Sequence, residues 1–208
     1  MCEYHKIETL YVRDEKTFKV DPSQLKNRTY SLIKTWQFTE KIDGTNIRCI
    51  WKDGVLRFGG KTDNAQIHTD LIRWLYEHVS PMRMADIFPE SEAVIYGEGY
   101  GAGIQKGGGY SPVKKFIVFD VLVGGKWWLS WENTCDVAAK LDLEVVPFIG
   151  EMTLEDASVM VQRGFDSVVA AANGQKVAAE GLVGRTAEPL FDKKGARLIV
   201  KLKTKDFA

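Results

Sequence analysis

The pattern of apolar and polar positions along the chain predicts more strand than helix. Short apolar or alternating runs recur between turn residues, which is typical of largely antiparallel sheets. Two tight connections favour pairing of consecutive strands: Lys52-Asp53-Gly54, and Gly124-Gly125 as a two-residue hairpin loop. The predicted strands cover residues 36–40, 46–52, 55–58, 93–98, 116–123, 126–130 and 197–203.

Apolar residues at helical spacing are confined to a few segments. Residues 69–79, which end before Pro81, and residues 132–141 predict two helices. A third helix begins at Thr153-Leu154-Glu155-Asp156, which resembles a capping box with Asp in place of Glu, and Gly164 can end it. Strands with interspersed helices and no Pro- or Ser-rich linker predict one α+β domain over residues 1–208.

Composition agrees with a globular chain of this kind. The 208 residues are 45% hydrophobic and 27% charged, and no apolar run approaches the roughly 18 residues of a membrane span. The first residues do not resemble a signal peptide. The three cysteines are too few and too widely spaced for a disulfide framework or a zinc site. We therefore expect a cytoplasmic protein that does not associate with membranes.

The charge is balanced overall but not locally. The 28 basic and 28 acidic residues give a formal net charge of zero, which excludes a wholly basic nucleic-acid-binding surface. Residues 192–206 are the exception, since six basic residues against two acidic ones give this segment a net charge of +4.

Three lysines are candidates for phosphate chemistry. Lys41 precedes Asp43-Gly44, so it is either a solvated lysine before an ordinary hairpin turn or a nucleophile. A lysine attacks only as the neutral amine, which burial and neighbouring cations favour. Lys201 and Lys203 share one face of a predicted strand. They either bind a phosphate together or form the solvated face of an edge strand.

The remaining candidates are carboxylates, glycines and aromatic residues. Residues 97–109 contain seven of the chain's 19 glycines, which favours close approach of the backbone to a ligand. Glu98 is either a ribose or metal ligand or a surface carboxylate at a strand end, and Glu180 enters another apolar strand. Phe116 and Phe119 either pack in the core or stack on a base.

The order of these motifs resembles that of the covalent nucleotidyltransferases, which include polynucleotide ligases and messenger RNA capping enzymes. Residues 41–46 (KIDGTN) and 96–106 (YGEGYGAGIQK) are most similar to the RNA ligase branch, the phage RNA-repair and RNA-editing ligases. The resemblance spans residues 4–207. It implies an ATP-grasp-like nucleotidyltransferase domain of largely antiparallel sheets flanked by helices, with the nucleotide pocket between the sheets.

The resemblance implies an ATP-dependent RNA ligase. Lys41 would form a covalent lysyl-AMP with ATP, transfer the AMP to a 5′-phosphate, and a 3′-hydroxyl would displace AMP to seal the strand. Rival interpretations are a minimal DNA ligase, a GTP-using capping-type guanylyltransferase, and a non-catalytic module that binds nucleic-acid ends. The intact Lys41, Lys201 and Lys203 argue against the last of these.

The resemblance also assigns roles to individual residues. Lys201 and Lys203 would bind the α-phosphate, Phe119 would stack on adenine, and Glu40 would flank it. Glu98 and Glu180 would serve the divalent ion, magnesium or manganese, with Glu98 also near the ribose. The residues expected at the nucleotide are Glu40, Asp43, Gly44, Asn46, Arg48, Lys61, Glu98, Phe119, Glu180, Lys201 and Lys203.

Two departures from the family pattern shape the expected substrate. Lys61 stands where the family usually has an arginine, with Arg48 and Arg57 as nearby substitutes. The chain ends five residues after Lys203, so we expect neither the C-terminal domain nor the OB-fold that relatives append there. RNA would then be held by this domain alone, through residues 193–205 with Lys106, Lys114 and Lys115, or with a protein partner. Nicked duplexes with a 5′-phosphate and a 3′-hydroxyl should be preferred.

Overall fold

The computed structural model describes residues 3–105 and 108–207, and their backbone separates into two compact units. The first unit comprises the chain up to His5, Asp43–Val146 and Asn173–Gln175. The second comprises Lys6–Ile42, Pro147–Ala172 and the chain from Lys176 onward. Each unit has its own sheet and its own apolar core.

Strands predominate over helices. The strands are β1 (Glu8–Thr9), β2 (Tyr11–Arg13), β3 (Val20–Leu25), β4 (Trp36–Lys41), β5 (Thr45–Lys52), β6 (Val55–Gly59), β7 (Ala93–Tyr100), β8 (Lys115–Val123), β9 (Trp127–Trp128), β10 (Phe148–Met152), β11 (Gly181–Arg185) and β12 (Ile199–Lys203). The helices are α1 (Thr69–His78), α2 (Pro81–Ile87), α3 (Trp131–Leu141), α4 (Leu154–Arg163), α5 (Val168–Ala172) and α6 (Thr204–Phe207), with short 3-10 turns at Arg28–Leu32 and Gly108–Tyr110.

The first unit is an antiparallel sheet covered on one face by helices. Its strand order is β6-β5-β7-β8-β9. Side chains alternate across each strand, and one face packs against α1, α2 and α3. The apolar core on that face includes Ile47, Cys49, Ile95, Val118, Leu71, Leu75, Met84 and Leu141. The opposite face carries polar and aromatic residues that belong to the candidate site.

The second unit contains a five-stranded sheet in the order β1-β12-β11-β4-β10. β1 pairs with β12 in parallel, and the other neighbours are antiparallel. One face of this sheet packs against α4 and the β2–β3 hairpin through Trp36, Phe38, Leu182, Val200, Leu202, Ala157 and Val161. The α+β class and the largely antiparallel sheets predicted from the sequence are therefore confirmed.

Most predicted elements are present, with three corrections. The strand expected at 126–130 is only β9, and its connection to β8 has three residues because Val123 pairs with Trp127. The turn after Lys41 is not a hairpin, since β4 and β5 lie in different sheets. Pro81 does not merely end a helix: it begins α2, with Ser80 as the N-cap. Proline is favoured at this position because the first helical N–H groups have no intrahelical partner.

The capping box at the start of α4 is confirmed. Thr153 Oγ1 accepts a hydrogen bond from the Asp156 amide at 3.1 Å and donates one to Asp156 Oδ2 at 2.7 Å. Gly164 ends the helix with a φ of 73°, as expected for a glycine in this position. Within residues 3–105 and 108–207, none of the helices has the length and apolarity that crossing a bilayer would require.

Candidate active site

Three strands of the second unit bring Lys41, Glu180 and Lys203 together. The register aligns Lys41 of β4, Gly181 of β11 and Lys203 of β12 in one row, and Glu180 immediately precedes Gly181. The Glu180 carboxylate accepts a hydrogen bond from Lys41 Nζ at 2.7 Å and one from Lys203 Nζ at 2.5 Å. The three side chains are 20%, 12% and 18% exposed, so the ion pairs are partly shielded from water.

Gly181 is required by the spacing of the strands in this row. A Cβ at this position would lie 1.9 Å from the carbonyl oxygen of Leu202, and the φ of 152° is one that other residues rarely adopt. Any larger residue would therefore displace β12. The glycine lets the strand carrying Lys203 approach the strand that leads from Glu180.

Lys201 extends the positive charge along the same face of β12. Burial lowers its pKa to about 8, and the charges of Lys203 and Lys41 act in the same direction, against the smaller effect of Glu8. Burial alone would raise the pKa of Glu180, but the two lysines outweigh it and hold that pKa below its usual value. The carboxylate therefore remains ionised between two cations.

Strand pairing bears on the alternatives for these lysines. Lys41 pairs with β11 rather than turning back in a hairpin. β12 lies between β1 and β11, so Lys201 and Lys203 are not on an edge strand. Lysines on an interior strand, converging on one carboxylate, do not fit a role as solvated surface residues.

Glu40 projects from the opposite face of β4, into the interior of the second unit. It is 1% exposed, and its carboxylate accepts hydrogen bonds from Ser167 Oγ at 2.5 Å and the amides of Val168 and Val169 at 2.9 and 3.3 Å. Burial raises the pKa of Glu40, and these three donors only partly offset it. Both carboxylate oxygens thus hold the start of α5, which fixes the strand position directly before Lys41.

In the first unit, Asn46, Arg48 and Glu98 share the face of the sheet that is opposite the helices. Asn46 of β5 is paired directly with Glu98 of β7, and Arg48 with Tyr96. Glu98 lies within β7, between two neighbouring strands, and is half-buried rather than a surface residue at a strand end. The buried Asn46 Oδ1 has no hydrogen-bond partner among the described residues.

Phe119 lies at an irregularity of β8 on that same face. The register shifts between Tyr96–Asp120 and Gly97–Val118, which leaves Phe119 as the extra residue of a bulge. Phe119 is half-buried, whereas Phe116 is 1% exposed and belongs to the apolar core. The structure thus places Phe116 in the core and leaves Phe119, to which the family resemblance assigns base stacking, partly open.

Arg48 organises the loop that carries Lys61. It is fully buried, and its guanidinium donates to the carbonyl oxygen of Gly60 and to Asp63, each at 2.8 Å. Lys61 itself is exposed, as is Arg57. Of these three basic residues, Lys61 and Arg57 are therefore open to a ligand, and Arg48 holds their surroundings in place.

Several glycines of this unit, though not Gly54 or Gly125, approach the protein's own groups closely. A Cβ at Gly44 would lie 2.2 Å from the carbonyl oxygen of Gly99, and one at Gly101 would lie 2.1 Å from that of Val113. The glycine density thus reflects internal packing, and not only approach to a ligand as the sequence favoured. Asp43, which precedes Gly44, is half-buried.

The residues expected to grip RNA are only partly available. Lys114 forms an ion pair with Asp70 at 3.4 Å, and Lys115 donates to Asn173 at 2.8 Å. Lys106 lies outside the described residues.

Two site neighbours were not identified from the sequence. The Tyr4 hydroxyl donates to the fully buried Asp120 at 2.7 Å, and the Tyr4 ring lies 5.0 Å from that of Phe119. Arg185, 2% exposed, shares the face of β11 with Val183 and donates to Thr39 at 3.5 Å. No local pattern marks either residue, because both act through partners more than 100 positions away.

The lowered pKa of Lys201 predicts a pH-dependent stability. The folded chain holds the Lys201 proton less tightly than the unfolded chain does. The loss of folding stability from burying this charge is therefore complete below pH 8 and disappears as pH rises towards 10.5. Lys201→Met should raise the melting temperature at pH 7 by about 2–4 °C. This corresponds to a gain of about 1 kcal/mol in the free energy of unfolding, a small value because water partly screens this charge. The gain should shrink between pH 8 and 10.5. Thermal melts of Lys201→Met and of the exposed control Lys34→Met over this pH range would check the prediction. The same dependence of melting temperature on pH in both variants would contradict it.

Comparisons with known proteins identify the fold and the family. Two structures of Naegleria gruberi RNA ligase variants with ATP and Mn match this chain. One has a TM-score of 0.68 and 17% sequence identity, and the match covers 97% of this chain and 60% of that chain. The other has a TM-score of 0.63 and 16% identity, and the match covers 84% of this chain and 50% of that chain. The same ligase with PPi matches at 0.63, with 18% identity over 84% of this chain and 50% of that one.

At this level of identity the likeness establishes a shared fold, and the chain spans 50–60% of the length of these relatives. No curated protein sequence matches the chain. The sequence profile of the RNA ligase family matches residues 34–203, which is most of the chain. The chain therefore belongs to the RNA ligase family.

Proposed function

We propose that this chain is an ATP-dependent RNA ligase that works through a covalent lysyl-AMP. The observation that carries the proposal is the row of Lys41, Glu180 and Lys203, extended by Lys201, in a member of the RNA ligase family. A partly buried lysine beside two further lysines suits attack on a phosphate, because the neighbours stabilise negative charge that develops on the phosphate oxygens.

The first step joins Lys41 to the nucleotide. Lys41 Nζ attacks the α-phosphorus of ATP, a P–N bond forms, the bond to pyrophosphate breaks, and the proton that Lys41 loses passes to solvent water. Lys201 and Lys203 bind the α-phosphate oxygens. The hydrogen bond from Lys41 to Glu180 must be exchanged before attack, because the nitrogen lone pair has to face the phosphorus.

Glu180 is the residue best suited to serve a divalent ion in this step. Its carboxylate is ionised and provides the hard oxygen donors that magnesium and manganese prefer. No group of three or more His, Cys, Asp or Glu able to hold a metal occurs among the described residues. Mg²⁺ commonly combines one or two carboxylates with substrate phosphates, so Glu180 fits as such a ligand. The resemblance to the family assigns Glu98 to the same ion. When bound, the ion would neutralise charge on the phosphates.

Polar groups of the first unit suit the base and the ribose. The unpartnered Asn46 Oδ1 is an acceptor for a hydroxyl group, and Glu98 is paired with it across the strands. Phe119 stands at a bulge, a feature that commonly re-aims a side chain next to a functional site. We therefore assign ribose binding to Asn46 and Glu98 and base stacking to Phe119. Glu40 acts by holding β4, and Asp43, Gly44 and Arg48 shape the neighbouring backbone.

The remaining two steps use RNA. The AMP passes from Lys41 to the 5′-phosphate of one strand, and the 3′-hydroxyl of another displaces AMP to form the phosphodiester. A chain with zero net charge makes few phosphate contacts, so its affinity for RNA should be modest and should fall with salt. A template strand or a protein partner that holds the two ends together would compensate.

Removal of the Lys41 amine should abolish the covalent intermediate. Lys41→Ala should carry no AMP after incubation with ATP and magnesium, while the exposed Lys34→Ala should be labelled like the parent chain. Intact-mass measurement detects the adduct directly. An AMP adduct that persists in Lys41→Ala would overturn the assignment, and labelling by GTP instead of ATP would favour the capping-type interpretation.

Base stacking predicts a selective effect at Phe119. Phe119→Ala should raise the KM for ATP about 5- to 150-fold, since stacking contributes about 1–3 kcal/mol per base, and Phe119→Tyr should largely restore it. Phe116→Ala is the matched control, because truncation of this core ring should cost about 3–5 kcal/mol of stability. Nucleotide titrations and thermal melts of both variants distinguish the roles. If Phe119→Ala lowers stability as much as Phe116→Ala does without altering nucleotide binding, Phe119 is a packing residue.

The substrate class can be tested in one ligation experiment. Nicked duplex RNA should be sealed faster than single-stranded RNA, and the advantage should grow between 50 and 200 mM salt, roughly the range over which phosphate contacts weaken markedly. Nicked duplex DNA serves as the comparison that shows whether the enzyme distinguishes ribose from deoxyribose. Faster sealing of nicked DNA would identify a DNA ligase, and efficient joining of free strands at the higher salt would exclude a dependence on a template.

A further inference from the structure

We propose that the folded tip formed by residues 190–197, between β11 and β12, is a secondary contact surface for the RNA strand. This inference rests on the proposed ligase function and adds to it a binding surface away from the lysine row. The tip carries two exposed apolar side chains, Leu190 and Phe191, 47% and 48% exposed. None of the steps assigned above uses them.

The tip is held by its own backbone rather than being a loose loop. Phe191 and Arg197 form an isolated bridge, and the amide of Leu198 donates to the carbonyl oxygen of Leu190 at 2.8 Å. The amide of Asp192 donates to the carbonyl oxygen of Ala196 at 2.8 Å. A surface organised in this way loses little conformational entropy when a ligand binds.

The charge of the tip favours a polyanion. Asp192 Oδ1 accepts hydrogen bonds from the amides of Lys194 and Ala196 at 2.8 and 2.9 Å, so this carboxylate is engaged within the tip. Residues 190–197 contain three basic residues and this one acidic residue, so their net charge is +2. The basic residues are Lys193, Lys194 and Arg197. Lys193 and Lys194 are exposed.

An exposed aromatic ring and two exposed lysines within one short turn match the chemistry of a nucleic-acid strand. Bases stack on aromatic rings largely independently of sequence, and phosphates bind lysines. An acidic peptide would use the lysines but has no need of the ring. The occupant that uses both features is RNA, and an acidic peptide becomes the competing outcome of the test.

The strand geometry sets the distance of this contact from the reaction. Arg197 precedes Lys201 by four residues, and Phe191 is bridged to Arg197. A fully extended segment would span about 13 Å, but the hydrogen bond from the Ile199 amide to the Arg197 carbonyl oxygen at 3.1 Å shortens it. With about 3.4 Å per base step, Phe191 reaches a nucleotide about three to four steps from the phosphate that we assign to Lys201 and Lys203. The contact therefore requires a strand of at least this length.

A second turn of the chain provides a matched control. In the β2–β3 connection, Asp14 Oδ1 accepts from the amides of Lys16 and Thr17 at 3.0 and 2.6 Å, and Phe18 is 64% exposed. Its residues 14–19 contain two acidic and two basic side chains, so its net charge is zero. This turn shares the architecture of the tip but lacks its positive charge.

The experiment measures the affinity of the full chain for 5′-phosphorylated RNA of two to twelve nucleotides by fluorescence anisotropy. Phe191→Ala should weaken binding of the longer strands about 5- to 150-fold and leave strands shorter than about four nucleotides unaffected. Lys194→Ala should lower the slope of log affinity against log salt by about one. Phe18→Ala and Lys16→Ala should match the parent chain, and all variants should accept AMP from ATP as it does.

Three results would overturn the inference. The first is parental affinity of Phe191→Ala for long RNA, and the second is an equal loss for short and long strands. The third is binding of polyglutamate that is as tight as that of RNA and equally weakened by Phe191→Ala, which would identify a protein-docking surface. Failure of the parent chain to form an AMP adduct would instead overturn the ligase proposal, since this labelling step needs no RNA. The two failures are therefore distinguishable.

Discussion

The placement of one carboxylate between two lysines is the constraint on which the second unit depends. Glu180 contacts Lys41 across 139 positions of sequence and Lys203 across the neighbouring strand. Three lysines on one sheet face would otherwise repel one another in a partly dehydrated setting, where Coulomb energies exceed their values in water. Removal of one partner from such a cluster leaves an uncompensated charge, which is far more costly than loss of a surface pair. The strands must therefore keep their register for the charges to balance.

The second constraint is the alternation of side chains along β4. Glu40 and Lys41 are adjacent, so they project from opposite faces of the sheet. Glu40 binds Ser167 and two amides of α5, and this anchors the strand from its interior side. Lys41, the residue that we propose as the nucleophile, thus has a rigid support one position away, and such supports hold functional groups to within fractions of an ångström.

The sequence predicted the elements and the chemical groups better than it predicted their partners. The order of motifs identified Lys41, Glu180, Lys201 and Lys203, and the structure brings all four into the second unit. Pairing was not accessible in the same way. Asp43-Gly44 is consistent with a hairpin, and only the sheet order shows that Lys41 pairs with β11.

Long-range partners explain the remaining differences. Whether Arg48 binds a ligand or its own loop depends on Gly60 and Asp63, which no periodicity connects to it. Tyr4 likewise meets Asp120 only through the fold. Phe116 and Phe119 look alike in an apolar run, and a one-residue bulge distinguishes the core ring from the partly open one. Such irregularities arise from packing, and a single sequence does not encode them in a local pattern.

Gly181 has a further consequence for what the lysine row accepts. Because Lys41 and Lys203 flank this glycine on the two neighbouring strands, their backbones are separated by two strand spacings, about 9.6 Å. Gly181 itself places no side chain in this interval, and the carboxylate of the preceding Glu180 bridges the two ammonium groups across it. Backbones this far apart are out of reach of short side chains, so only long ones such as lysine can meet at a common oxygen donor midway between the strands, where the Glu180 carboxylate lies.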